Sequence, residues 1–256
     1  MAVEPRVTTG IAGLDTMLNG GFISESAVLL RGAPGTGKTT LAFHYLLEGA
    51  RRGESGLLIS FEEFPKSLYR DATSLGWNLA DYEASGGLHM MFTSPAVLLA
   101  SLSVPDSPLM RMLMNTDIRR VALDSLTHFT RISSNTHELR RIYSTVVNAF
   151  RREGVTAMFL GEETRSDFTN DEKGRLSFIV DSLVMLRYLE IESAIQRAIV
   201  VLKMRSSDHD KSIHSYSIGH GGITVGGPLE GRIGLLSGLS HHSMISTVQT
   251  TRPAGK

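Results

Sequence analysis

The sequence predicts an α/β fold, a mostly parallel central sheet flanked by helices with a C-terminal antiparallel β meander. Three observations carry this. Short aliphatic or β-branched runs alternate with longer helical stretches through the first two thirds of the chain, the pattern of parallel strands joined by helical crossovers. A glycine-rich segment separates the first of these runs from the first helix. The last third holds three β segments joined by short polar connections, which suits antiparallel neighbours.

Residues 27–31 form a brief apolar strand ending in the glycine-rich turn. Residues 39–52 then place Leu41, Tyr45 and Leu46 near helical spacing until Gly53 stops the helix. Residues 57–61 are a second buried strand, followed by two carboxylates and by Pro65, which fits the first position of a helix running to Gly76. Residues 88–93 are a third strand. Residues 119–124 run from a basic start through an apolar middle to a carboxylate at the strand's end. Asn135 caps a helix reaching Arg152, with Glu138 at the capping-box spacing. The next strand covers 155–160, and 181–191, 197–205 and 213–218 make the meander. Between them, 162–175 is polar and long enough to be a mobile functional loop.

Composition narrows the function. The 256 residues are 41% apolar and 20% charged, which describes one globular domain, 1–230, followed by a tail, 231–256, expected to be partly disordered. Lys and Arg number 26 against 26 Asp and Glu, so no global charge draws the chain to nucleic acid or to an acidic membrane. Four arginine pairs, 51–52, 119–120, 140–141 and 151–152, read as scattered helix or strand surface. The absence of cysteine excludes disulfides, thiolate metal sites and cysteine nucleophiles. With no run near the roughly 18 apolar residues of a membrane helix, a cytoplasmic protein follows. His241 and His242 stand without an evident third ligand, so no transition-metal site is expected.

Gly32-Ala33-Pro34-Gly35-Thr36-Gly37-Lys38-Thr39 satisfies the P-loop pattern between a strand and a helix. The glycines let backbone N–H groups turn inward, the helix start adds positive potential, and Lys38 can reach the β and γ phosphates. Gly35, Thr36, Gly37, Lys38, Thr39 and Thr40 are the expected nucleotide-binding residues. The Thr39 hydroxyl and the strand-end carboxylate of Asp124 would hold Mg²⁺. A strand-end aspartate often only caps a turn, and the P-loop upstream is what favours the metal role. Glu62 and Glu63 leave the edge of the neighbouring strand, where one can orient or deprotonate a water attacking the γ-phosphate. The competing reading is that both favour the dipole of the helix that follows.

On these motifs the chain resembles the KaiC-type branch of the RecA-like P-loop ATPases. Thr9-Gly10-Ile11-Ala12-Gly13-Leu14-Asp15 with Gly20-Gly21 is similar to that family's entry segment, and Ser60-Phe61-Glu62-Glu63 to its strand with catalytic glutamates. Gly76-Trp77-Asn78-Leu79 matches further. Val121 to Leu126 resembles its Walker B strand, and Val201-Leu202-Lys203-Met204-Arg205 with His209-Asp210-Lys211 its late signature. The resemblance covers roughly 6–225. It implies ATP as substrate and a homo-oligomeric ring, a hexamer, in which Lys203 and Arg205 reach a neighbour's γ-phosphate and His209 and Lys211 lie near the base and ribose. From spacing alone, Lys203 and Arg205 sit two apart on one strand and face the same side, which is equally a solvated face.

KaiC itself is a tandem of two such domains and this chain has one, so clock behaviour is not carried over. Where the second KaiC domain carries a phosphorylated Ser-Thr pair, this chain has Ser177-Phe178. Ser177 alone could accept a phosphate, or it is an ordinary serine. The leading expectation is a Mg-dependent ATPase acting as a regulatory switch on an unidentified protein partner. The alternatives are a RecA/RadA-like DNA-dependent ATPase of recombination or repair, and a signalling module that binds nucleotide without hydrolysing it.

Overall fold

The computed structural model describes residues 4–162, 176–191, 193–229, 232–233 and 241–242. In chain order the elements are β1 (Arg6–Val7), α1 (Ala12–Met17), β2 (Phe22–Ile23), β3 (Ala27–Gly32), α2 (Lys38–Arg51), β4 (Ser55–Ser60), α3 (Pro65–Ser74), α4 (Leu79–Ala84) and β5 (Leu88–Phe92). There follow α5 (Pro95–Ser103), α6 (Pro108–Asn115), β6 (Ile118–Asp124), a 3₁₀ helix (Leu126–Arg131), α7 (Thr136–Arg152) and β7 (Thr156–Glu162). The chain then runs through α8 (Leu176–Ile179), β8 (Ser182–Ile191), β9 (Ala194–Met204), β10 (His214–Gly219), β11 (Gly222–Pro228), β12 (Arg232–Ile233) and β13 (His241–His242). The polar segment 163–175 lies outside the described residues. So does most of the tail, of which only the short pairing of β12 with β13 is described. No helix among the described residues is long and apolar enough to cross a membrane.

Nine strands form one mixed sheet in the order β11-β10-β9-β8-β3-β7-β6-β4-β5. From β8 to β5 every pairing is parallel, and β9, β10 and β11 add the antiparallel meander at one side. The period-2 alternation of side chains divides the core. In β3, Val28 and Leu30 enter one apolar cluster with α1, α2 and α3, whereas Ala27 and Leu29 enter a second with α5, α6 and α7. Helices therefore cover both faces, and the run at 27–30 reads as continuously apolar because it has no solvated side.

The predicted strands and the three predicted helices are present with small shifts at their ends. Helices α4, α5 and α6 are not among the predicted elements, nor are α1, α8, the 3₁₀ helix, the antiparallel β1–β2 pair and β11 to β13. Helices α5 and α6 had signals: Ser94 and Ser107 each precede a proline at the first helical position, and each accepts the backbone N–H three residues on, from Val97 at 3.3 Å and Met110 at 3.2 Å. At α7, Asn135 caps as expected, accepting from His137 N–H at 2.9 Å and Glu138 N–H at 3.2 Å. The reciprocal bond passes instead through Ser133, which donates to Glu138 at 2.7 Å and accepts from Asn135 N–H at 3.0 Å.

The pair Arg119–Arg120 is not wholly surface. Arg120 is 1% exposed, and its guanidinium donates to Glu54, to Thr8 O at 2.6 Å and to Tyr45 O at 2.9 Å. It also lies 5.0 Å above the Tyr45 ring. A Cβ on Gly49 would stand 2.6 Å from its Cδ, so α2 needs glycine there to pass the guanidinium. Removing the guanidinium takes a donor from Glu54 and from the carbonyls of Thr8 and Tyr45. Arg120→Met is accordingly expected to lower unfolding free energy by about 3–5 kcal/mol in a urea titration.

A second buried polar group ties the meander to α2. His44 Nε2 accepts Ile223 N–H at 2.7 Å, and its ring meets Trp77 edge-on at 4.8 Å. Burial, with the charge of Arg51 adding, lowers its pKa from 6.5 to about 4. The folded state thus prefers the neutral ring. Its contribution is complete above pH 6.5 and is lost as pH falls from there towards about 4. Unfolding titrations on either side of that window should show stability dropping with acid, by less in His44→Gln than in the wild type.

Candidate nucleotide site

The parallel register brings four strand ends to one edge of the sheet. Gly32 of β3 is level with Glu162 of β7, and Ser60 of β4 with Asp124 of β6. The P-loop leaves β3 at this edge and enters α2. Gly35 has φ +78° and Gly37 φ +92°, a left-handed backbone that glycine adopts without strain. A Cβ on Gly37 would also come 2.5 Å from Ile218 Cδ1, so the meander presses on the loop from behind. Thr36 is fully buried, donates from Oγ1 to Ala33 O at 2.8 Å, and offers its carbonyl to the Tyr216 hydroxyl. Lys38 Nζ curls over the loop, donating to Gly32 O at 2.9 Å and Ala33 O at 3.1 Å.

In front of the loop, Thr39 Oγ1 donates to Asp124 Oδ2 at 2.7 Å. Burial raises the Asp124 pKa against the opposing effects of that hydrogen bond and the Lys38 and His128 charges. Burial also lowers the pKa of Lys38, opposed by Asp124 and Glu162. Glu63 has a raised pKa, first through burial and then through the Asp124 charge. Glu62 is more open, with Oε2 3.1 Å from His128 Nε2. The cleft has a volume of about 360 Å³, and Gly35, Gly37, Lys38, Thr39, Thr40, Glu62, Glu63 and Asp124 all line it. Thr36 backs the loop from beneath. The structure therefore gathers the P-loop, Walker B and glutamate positions read from the sequence.

Sequence reasoning missed several neighbours of this cleft. Glu162 carried the same signal as Asp124, a carboxylate at the end of an apolar strand. Tyr216, Ile218 and His128 carried none, because they arrive through long-range packing.

Lys203 and Arg205 are not at this edge. Leu183 of β8 pairs with both Leu29 and Lys203, so Lys203 sits level with a residue three before Gly32, roughly 10 Å back along the strand. Both side chains turn still further away, Lys203 Nζ donating to Val180 O at 2.7 Å and Arg205 to Phe178 O at 2.7 Å. They do share a side, as their spacing predicted, although Arg205 lies just past the end of β9. Burial and the Arg205 charge lower the Lys203 pKa. His209 and Lys211 follow at the same remote end. Their loop is tied to the N-terminal segment by Asp210 N–H to Met17 O at 2.8 Å and by Asn19 to Asp208 O at 2.9 Å. Lys211 pairs with Asp208 at 3.0 Å, and His209 Nδ1 is buried without a hydrogen-bond partner among the described residues. None of the four reaches the cleft of its own chain, because β9 runs antiparallel to the strands that build it. Ser177 falls in α8, and its side chain lies outside the described residues.

A family model described as the KaiC ATPase matches residues 7–230. The chain belongs to the KaiC ATPase family. The circadian clock oscillator protein KaiC of Picosynechococcus sp. is 36% identical over 234 residues, covering 86% of this chain and 42% of that protein. The circadian clock protein KaiC3 of Synechocystis sp. is 31% identical over 251 residues, 95% of this chain and 48% of that protein. The chain thus spans less than half the length of these curated relatives. A crystal structure of a KaiC-like protein from the hyperthermophilic archaeon Pyrococcus horikoshii superposes with a TM-score of 0.78 at 26% identity, over 88% of this chain and all of that one. The KaiC-type, RecA-like fold expected from the motifs is the fold observed.

The loop geometry has a direct test. Gly37→Ala forces a side chain into a left-handed backbone against Ile218 and is expected to cost about 1–3 kcal/mol of stability in thermal unfolding. Adding Ile218→Ala should recover part of the loss, because only the steric share is relieved.

Proposed function

We propose that the protein binds and hydrolyses Mg·ATP in sites completed by a neighbouring copy of the chain, within a homohexameric ring in the cytoplasm. The observation that carries this is a division across the sheet. The P-loop, the Thr39–Asp124 bond and both glutamates occupy one edge, while Lys203 and Arg205 face away from it near the other. A cation pair that cannot serve its own P-loop can serve one on a second copy. His209 and Lys211 would approach the base and ribose from the same neighbour. The ATPase domain is taken as 1–230, with 231–256 as a tail.

In this reading the loop amides and Lys38 hold the phosphates, with Gly35, Gly37 and Thr40 against them. Thr39 and Asp124 are hard oxygen donors of the kind Mg²⁺ takes, and they stand beside the phosphate loop. Among the described residues no group of three carboxylate or histidine ligands exists. A cation at Thr39 and Asp124 would complete its coordination with the nucleotide's own oxygens and water. Bound there, Mg²⁺ would neutralise charge on the phosphates. Glu62, with Glu63 beside it, orients the attacking water. The raised pKa of Glu63 suits a group that takes up its proton. Turnover in such a ring would change the face shown to a protein partner, making the ATPase a regulatory switch. The DNA-dependent alternative gains no comparable observation, since one member of its basic pairs, Arg120, is spent in the core.

The test pairs size-exclusion light scattering with phosphate release on the same fractions. Lys203→Ala and Arg205→Ala are expected to keep nucleotide binding and lose turnover, and Lys38→Ala to lose both. Mixing Arg205→Ala with Lys38→Ala subunits should restore a fraction of the wild-type rate, since mixed interfaces combine an intact loop with an intact arginine. An active monomer, or full turnover in both strand variants, would refute the shared site.

A further inference from the structure

The 3₁₀ helix after β6 carries a side chain to which the sequence assigns no role. His128 is 8% exposed, and its ring packs edge-on against Phe61 with centroids 6.1 Å apart. Phe61 in turn meets Phe129 edge-on at 5.5 Å, and Phe129 meets Tyr143 of α7 at 5.9 Å. This aromatic series fixes the imidazole from the helix layer outward. The ring's Nε2 faces Glu62 of the cleft wall, 3.1 Å from its Oε2. Glu62 is in the opposite condition, with its side chain 66% exposed. A glutamate so open samples many rotamers, and a water at its far oxygen would be aimed only part of the time.

We infer that His128 is a positioning residue for the Glu62 carboxylate. It holds Oε2 from a buried ring packed on Phe61 and leaves Oε1 to orient the water at the γ-phosphate. The imidazole touches neither substrate nor metal and acts only through Glu62, so the inference rests on the proposed role of that glutamate. Phe61, between β4 and the glutamates, serves as the ledge against which the ring is set. A histidine kept only to fill the core would need no carboxylate at its outer nitrogen. Its loss would appear as lost stability, with turnover unchanged in the protein that still folds.

The test uses the full chain, steady-state phosphate release with Mg·ATP, and binding of the non-hydrolysable analogue with an imido bridge. His128→Phe keeps a ring against Phe61 but offers no nitrogen. It is expected to lower kcat by between about tenfold and a hundredfold while KM and analogue affinity stay unchanged. His128→Gln, which returns an N–H donor, should recover most of kcat. In a Glu62→Gln background, His128→Phe should cause no further loss. His128→Leu gives the same readout with a smaller side chain if the phenylalanine does not fold. Wild-type turnover in the folded His128→Phe protein overturns the inference, as does an equal fall in the Glu62→Gln background. If Glu62→Gln itself keeps full turnover, the role of Glu62 fails and the inference with it, an outcome distinct from the other two.

Discussion

The buried guanidinium of Arg120 is the interaction on which the arrangement of this domain depends. A charge removed from water must be surrounded by acceptors, and here those acceptors belong to three different parts of the chain. Glu54 precedes β4, Tyr45 lies in α2, and Thr8 lies in the segment between β1 and α1. Satisfying one side chain therefore sets the helix that carries the P-loop against the strand that ends in Asp124. The Thr39–Asp124 bond joins the same helix and strand a second time, nearer the cleft. Two contacts between α2 and β6, one buried and one at the edge, leave little freedom for the loop to shift relative to the carboxylate.

Parallel register does the rest of the work at that edge. Because β3, β7, β6 and β4 all point the same way, whatever their last residues carry is delivered to one line, and this chain ends them in Gly32, Glu162, Asp124 and Ser60. Several carboxylates then share a half-buried cleft with one lysine. The raised pKa values of Asp124 and Glu63 and the lowered value of Lys38 express the common cost of desolvation there. Such a cleft suits a ligand that brings phosphate charge and a cation together. The meander reverses direction at β9, and so the next set of charged residues, Lys203 and Arg205, emerges towards the opposite edge.

The meander also supports the site it does not reach with those charges. Tyr216 of β10 bonds the carbonyl of Thr36, Ile218 occupies the space beside Gly37, and the Ile223 N–H of β11 is taken by His44 of α2. The phosphate loop is therefore held from behind by strands that come nearly two hundred residues later in sequence, as the separation of 180 between Tyr216 and Thr36 records. A loop so backed presents its amides without needing to be ordered first, which is the advantage of preorganisation.

Much of this was readable in the residues themselves. The central strands, the P-loop, the glutamate pair and the carboxylate of Asp124 follow from local spacing, because apolar period, capping and turn chemistry are properties of neighbours a few residues apart. The Ser-Pro starts of α5 and α6 are equally local signals; α5 is apolar on most sides and shows no helical stripe, whereas α6 sets Leu109 and Leu113 on one buried face over only two turns. What only the tertiary structure decided is how distant residues meet: that Arg120 is core where Arg119 is surface, that His128 stands against Glu62, and that Lys203 and Arg205 face away from their own cleft. Those outcomes depend on strand order and direction, which depend in turn on pairings between residues far apart in the chain. No window of sequence contains both partners of such a pairing, so its consequences appear only once the sheet is assembled.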